Sequence, residues 1–109
     1  MRPGKLIHAT KLDNTVITQA YYSLDPLTDI SHILNSSNLF SMDLSDTLTV
    51  FHSLCSPKNT YQEMTICMDE RTETFHGEII FAGRDILKNV ISLDPIAEEE
   101  IRIKIKEIH

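Results

Sequence analysis

The chain has 109 residues, 41% apolar and 24% charged, with a formal net charge of −6. Those values exclude a disordered tail and a second independent core, leaving one globular domain over residues 1–109. No window reaches the ~18 consecutive apolar residues of a membrane span, Met1 to Thr10 lacks the apolar stretch of a secretory signal, and two cysteines are too few for a disulfide scaffold. A cytoplasmic protein with reduced thiols and no membrane contact is expected.

Lys5 to Thr10 is short and mixed, and reads as an edge strand or an ordered arm. After the Asp13-Asn14 turn signal, Thr15 to Leu24 is rich in β-branched and aromatic residues and reads as a strand. Asp25-Pro26 then opens a helix over about 26–35, in which Leu27, Ile30, Ile33 and Leu34 fall on one arc. The polar cluster Asn35 to Asn38 stops it.

Phe40, Met42 and Leu44 alternate with polar neighbours as a short strand, and Thr47 to Cys55 alternates more strongly. Ser56 to Asn59 has turn composition. Tyr61 to Met68 and Thr72 to Ala82, joined by Asp69-Glu70-Arg71, complete a three-stranded meander over about 47–82. Ile86 to Leu93 fits either a short helix or a strand.

The motif Ser23-Leu24-Asp25-Pro26-Leu27 recurs as Ser92-Leu93-Asp94-Pro95-Ile96, so a second helix starts at Pro95. An Asp carboxylate accepts from the free N–H groups of a first turn, and Pro at the first helical position gives up no needed donor. The segment after it is contested: acidic first turns and i,i+4 Glu→Arg/Lys spacing favour a helix over about 95–106, whereas alternating Ile101, Ile103 and Ile105 favour a short helix followed by a strand. The expected fold is α+β, an antiparallel sheet of four to six strands with both helices on one face.

Between Lys11 and Lys58 there is no lysine or arginine, while Asp13, Asp25, Asp29, Asp43 and Asp46 all lie there. This layout argues against nucleic acid, which needs clustered cations, and suits a cationic protein partner. Asp25, Asp29, Asp43 and Asp46 are the candidate contacts, with Tyr21 and Tyr22 as aromatic anchors.

His52, Cys55, Cys67 and His76 include the ligand types of a zinc shell, but strand spacing separates the two thiols too widely to share an ion. No metal and no cofactor are expected. In a regular meander His52 and His76 would flank Met64, ~10 Å apart, with Glu78 on the same face, which defines a candidate acid/base or ligand surface. No nucleophile has an identifiable base beside it, and no glycine-rich loop is present.

The function expected from these features is a small acidic protein-binding module, an inhibitor or immunity-type protein covering a cationic surface of a toxin or effector. Alternatives are a small enzyme or ligand-binding domain using His52, His76 and Glu78, a secretion chaperone, or a homodimeric structural protein joined through an exposed strand.

Overall fold

The computed structural model describes residues 3–34, 39–53 and 63–109. The expected stop at Asn35 to Asn38, the turn at Ser56 to Asn59, and Cys55 and Tyr61 lie outside them. Strands β1 (Gly4–Leu12) and β2 (Thr15–Ser23) form a hairpin whose register runs from Leu12↔Thr15 to Gly4↔Ser23. Asp13 and Asn14 take φ of 51° and 64°, the left-handed pair that lets a two-residue turn follow strand twist.

Helix α1 (Pro26–Ile33) starts where the Asp-Pro signal places it, with Asp25 as N-cap. Next come β3 (Leu39–Asp43), β4 (Leu48–Ser53), β5 (Glu63–Met68), β6 (Thr72–His76), β7 (Ile79–Arg84) and the short β8 (Val90–Ile91). Helix α2 (Pro95–Lys104) passes without a loop into β9 (Ile105–Ile108). Favoured over 95–106, the second helix stops two residues early, and the helix-then-strand alternative is the observed one. Ile105 and Ile108 gain a place against the core by pairing β9 with β5.

The fold class is α+β, with antiparallel sheets and two helices. The expected central meander over 47–82 does not form as one unit. The large sheet has the order β2-β1-β7-β4-β3 with β8 beside β7, and the small one has the order β6-β5-β9. Thus β4 pairs with β3 and β7, while β5 pairs with β6 and β9. Gly77, at φ 97°, and Glu78 carry the chain from one sheet to the other. Strand β7 is central because Ile79, Ile80, Phe81 and Ala82 are buried on both faces, which suits an unbroken apolar run.

The two helices also fall on opposite faces of the large sheet, not on one. Phe81, Val50, Leu48 and Ile79 pack against Met64, Ile66 and Phe75 of the small sheet and Ala97 of α2. Phe51, Ile80, Ala82 and Leu6 pack against Ile30 and Leu34 of α1. The side-chain period of two in β4 and β7 divides the two cores, as the cross-strand pairs Val50↔Phe81 and Phe51↔Ile80 show. Thr47 Oγ1 donates to Glu100 Oε2 at 2.9 Å and Ser45 Oγ donates to the same oxygen, tying α2 to the loop between β3 and β4.

Candidate functional site

Strand β2 is an outer strand of the large sheet, and among the described residues nothing pairs with its free side. Its nine residues, Thr15 to Ser23, carry no charge, no proline and no glycine. A two-residue turn makes Leu12↔Thr15 a hydrogen-bonded pair, so alternate residues Thr15, Ile17, Gln19, Tyr21 and Ser23 bond to β1. Val16, Thr18, Ala20 and Tyr22 therefore turn their N–H and C=O groups outward. The opposite parity on β1 agrees: Lys5 O accepts from Leu93 N at 2.8 Å on the side away from β2. Such an edge is a template for another strand.

The side chains along this edge differ in exposure. Tyr22 is 66% exposed and Ile17 49% exposed, whereas Tyr21 is half-buried with its ring 5.7 Å from that of His8. Of the two predicted aromatic anchors, the structure leaves Tyr22 available. Asp13 stands in the turn at one end of β2, and Asp25 follows it at the other.

Of the aspartates expected to form one anionic face, Asp25, Asp29 and Asp43 have partners within the chain. Asp25 caps α1, accepting from Thr28 Oγ1 at 2.8 Å and Thr28 N at 3.5 Å. Asp29 accepts from Ser23 Oγ. Asp43 Oδ1 lies 2.9 Å from Arg84 Nε, as an ion pair off the N–H direction, and Asp43 O accepts from Arg71 at 2.9 Å. Asp43 and Asp46 line an open groove of about 580 Å³ together with Arg71, Lys88 and Lys104. Cations from the second half of the chain thus enter the stretch that has none of its own.

His52, His76 and Glu78 are not brought together. Because β4 and β5 belong to different sheets, His52 lies between Phe40 and Phe75, with ring centroids 5.9 Å and 5.0 Å away. Burial pushes its pKa below the ordinary histidine value. His76 is exposed, its Nδ1 3.6 Å from Glu63 Oε1. Glu78 instead approaches His8, Oε1 to Nε2 3.7 Å, and burial holds His8 below its usual pKa against the opposing pull of that carboxylate.

Two features escaped sequence reasoning. Asp85 Oδ1 accepts from the backbone N–H groups of Leu87 at 2.9 Å and Asn89 at 2.8 Å, and these bonds, Asn89 foremost, depress its pKa. The loop they close presents Ile86 and Leu87 at 94% and 78% exposure. The Asp-x-x-x-Asn spacing was the available signal. The second feature is on the outer face of the small sheet. Cys67 pairs with Glu107 across β5 and β9, and His109 joins them, with Cys67 Sγ 3.5 Å from His109 Nε2. Nothing in the sequence linked residues forty positions apart before the pairing of β9 was known.

No family model, no characterised protein and no solved structure matches this chain.

Proposed function

We propose that this chain is a small acidic protein-binding module that takes an extended, cation-flanked segment of a partner protein onto β2 as an added strand. The observation that carries the reading is the uncharged open edge of β2 framed by Asp13 and Asp25. Strand addition supplies main-chain hydrogen bonds, and the exposed side chains add selectivity. Four outward-turned residues, Val16, Thr18, Ala20 and Tyr22, offer the ladder, and Tyr22 offers the aromatic anchor.

The charge layout favours a cationic segment over a second copy of the chain. Two copies overlapping fully would centre Gln19 on Gln19 and set Asp13 of each opposite Asp25 of the other, like against like. A segment with Lys or Arg at its two ends meets the same aspartates favourably, and the net charge of −6 draws it in. An inhibitor or immunity-type role is the form this takes when the segment belongs to a cationic toxin or effector. The contact then centres on the edge strand, because Asp29 and Asp43 have partners within the chain, and exposed Asp46 stays a candidate beside it.

The test uses a synthetic peptide of alternating Thr and Val with lysines at both ends, followed by amide chemical shifts of the full chain. Shifts concentrate in Val16 to Tyr22, and added salt weakens the binding. Ala20→Pro, which removes one outward donor at an edge where proline is tolerated, lowers affinity at least ~10-fold with the fold intact. Shifts centred elsewhere, or unchanged affinity in Ala20→Pro, would overturn the reading. Concentration-dependent dimerisation that protects the same amides would assign the edge to a second copy instead.

A further inference from the structure

We infer that Cys67, Glu107 and His109 hold one divalent transition-metal ion of the zinc class on the outer face of the small sheet, with water completing the shell. The three ligand atoms lie within 4.8 Å of one another. Their positions come from the backbone ladder. Cys67 stands directly opposite Glu107, and His109 is clasped to Thr65 by two main-chain hydrogen bonds of 2.7 and 2.9 Å. Glu107 and His109, two residues apart, rise on the same side as Cys67.

The separation of the softest pair matches the size of such an ion. Zinc sits ~2.3 Å from a thiolate and ~2.0–2.1 Å from an imidazole nitrogen, so a tetrahedral angle places sulfur and nitrogen ~3.5 Å apart. Cys67 Sγ and His109 Nε2 are 3.5 Å apart. The ion enters along that edge without prying the strands apart, and rotation about the Glu107 side chain supplies the third ligand.

Ligand chemistry then selects the metal. A thiolate, an imidazole and a carboxylate suit zinc and its neighbours, whereas magnesium and calcium require all-oxygen shells. One thiolate and one carboxylate balance the double positive charge of the ion. Binding breaks the S–H bond of Cys67, the electron pair stays on sulfur to form the metal bond, and the proton goes to solvent. Exposure of Glu107 and His109 leaves the water position open to exchange.

The competing account is a plain S–H···N hydrogen bond between Cys67 and His109 with no affinity for an ion. Cobalt(II) separates the two, because a thiolate bound to cobalt gives a near-ultraviolet charge-transfer band and a tetrahedral site gives intense visible bands. Titration of the full chain should show both, saturating at one equivalent, with release of about one proton and displacement by zinc. Cys67→Ser removes the charge-transfer band, His109→Gln and Glu107→Gln each weaken binding at least ~10-fold, and Cys55→Ser retains the spectrum.

Amide dispersion checks the fold of every variant, and should Cys67→Ser lose it, His109→Gln carries the test. Absence of the bands at one equivalent, their survival in Cys67→Ser, or their loss in Cys55→Ser would each overturn the assignment.

Discussion

Replacing Asp94 and, separately, Asp25 by Ala compares two copies of one five-residue motif whose caps differ in quality. Asp94 Oδ1 accepts from Ala97 N at 2.7 Å in a partly buried setting. Asp25 Oδ1 reaches Thr28 N only at 3.5 Å in an exposed one. The first backbone bonds are alike, 3.0 Å from Glu98 N to Asp94 O and 3.1 Å from Asp29 N to Asp25 O, and the added bond from Thr28 Oγ1 to Asp25 is exposed, so water replaces it at little cost. Each substitution also removes one negative charge beside a helix N-terminus, so that contribution cancels in the difference.

Loss of an N-cap costs ~0.5–2 kcal/mol, which places Asp94→Ala near ~1.5 and Asp25→Ala near ~0.5 kcal/mol. For a chain of this size those values correspond to Tm losses of ~6–10 °C and ~2–4 °C in thermal unfolding followed by circular dichroism. Equal losses, or a larger one at Asp25, would refute the argument that cap distance and burial set the cost.

Two further outcomes follow from the packing. A Cβ added at Gly83 would stand 2.6 Å from Ser92 O, a backbone atom that cannot rotate away, so Gly83→Ala lowers stability by ~1–3 kcal/mol in urea unfolding. His8 and His52 both sit below their ordinary pKa because burial disfavours their charged form. The unfolded chain therefore takes up protons as pH falls through ~6.5 while the folded one resists, so stability is greatest above that value and declines from pH ~7 to ~5. In urea unfolding measured across that range, His52→Phe flattens the decline, and an unchanged slope would exclude His52 as a contributor.

Much of the architecture was legible locally. Both Asp-Pro helix starts, the Asp13-Asn14 turn and the pairing of residues around Glu70 depend on near neighbours, and each stands within a residue or two of its expected place. What failed depended on distant partners. Alternation in Thr47 to Cys55 identifies a strand without saying which strand it joins, so β4 and β5 were paired by adjacency, and the proposed row of His52 and His76 rested on that pairing. The even-odd division of β4 and β7 likewise fixes two buried faces, yet the sequence does not say which helix covers which. The aspartates were correctly read as lacking cations within their own stretch. Arg71 and Arg84 reach Asp43 only through the tertiary fold.

Because α2 enters β9 with no intervening loop, the rotation of the last helical turn is handed straight to the strand. The pairing slips between Cys67 and Met68, where Glu107 and Ile105 are successive partners and Lys106 is surplus. That spare residue lets Ile105 and Ile108, three apart, both face inward. Shortening the junction by Lys106 would leave a regular ladder with every present pair kept, whereas lengthening it by one restores an even spacing that holds Ile108 inward but slides it from Ile66 to Met64 and carries Glu107 off Cys67. Length variation in this part of the chain should therefore spare the buried face either way, while the Cys67–Glu107 juxtaposition tolerates loss and not gain.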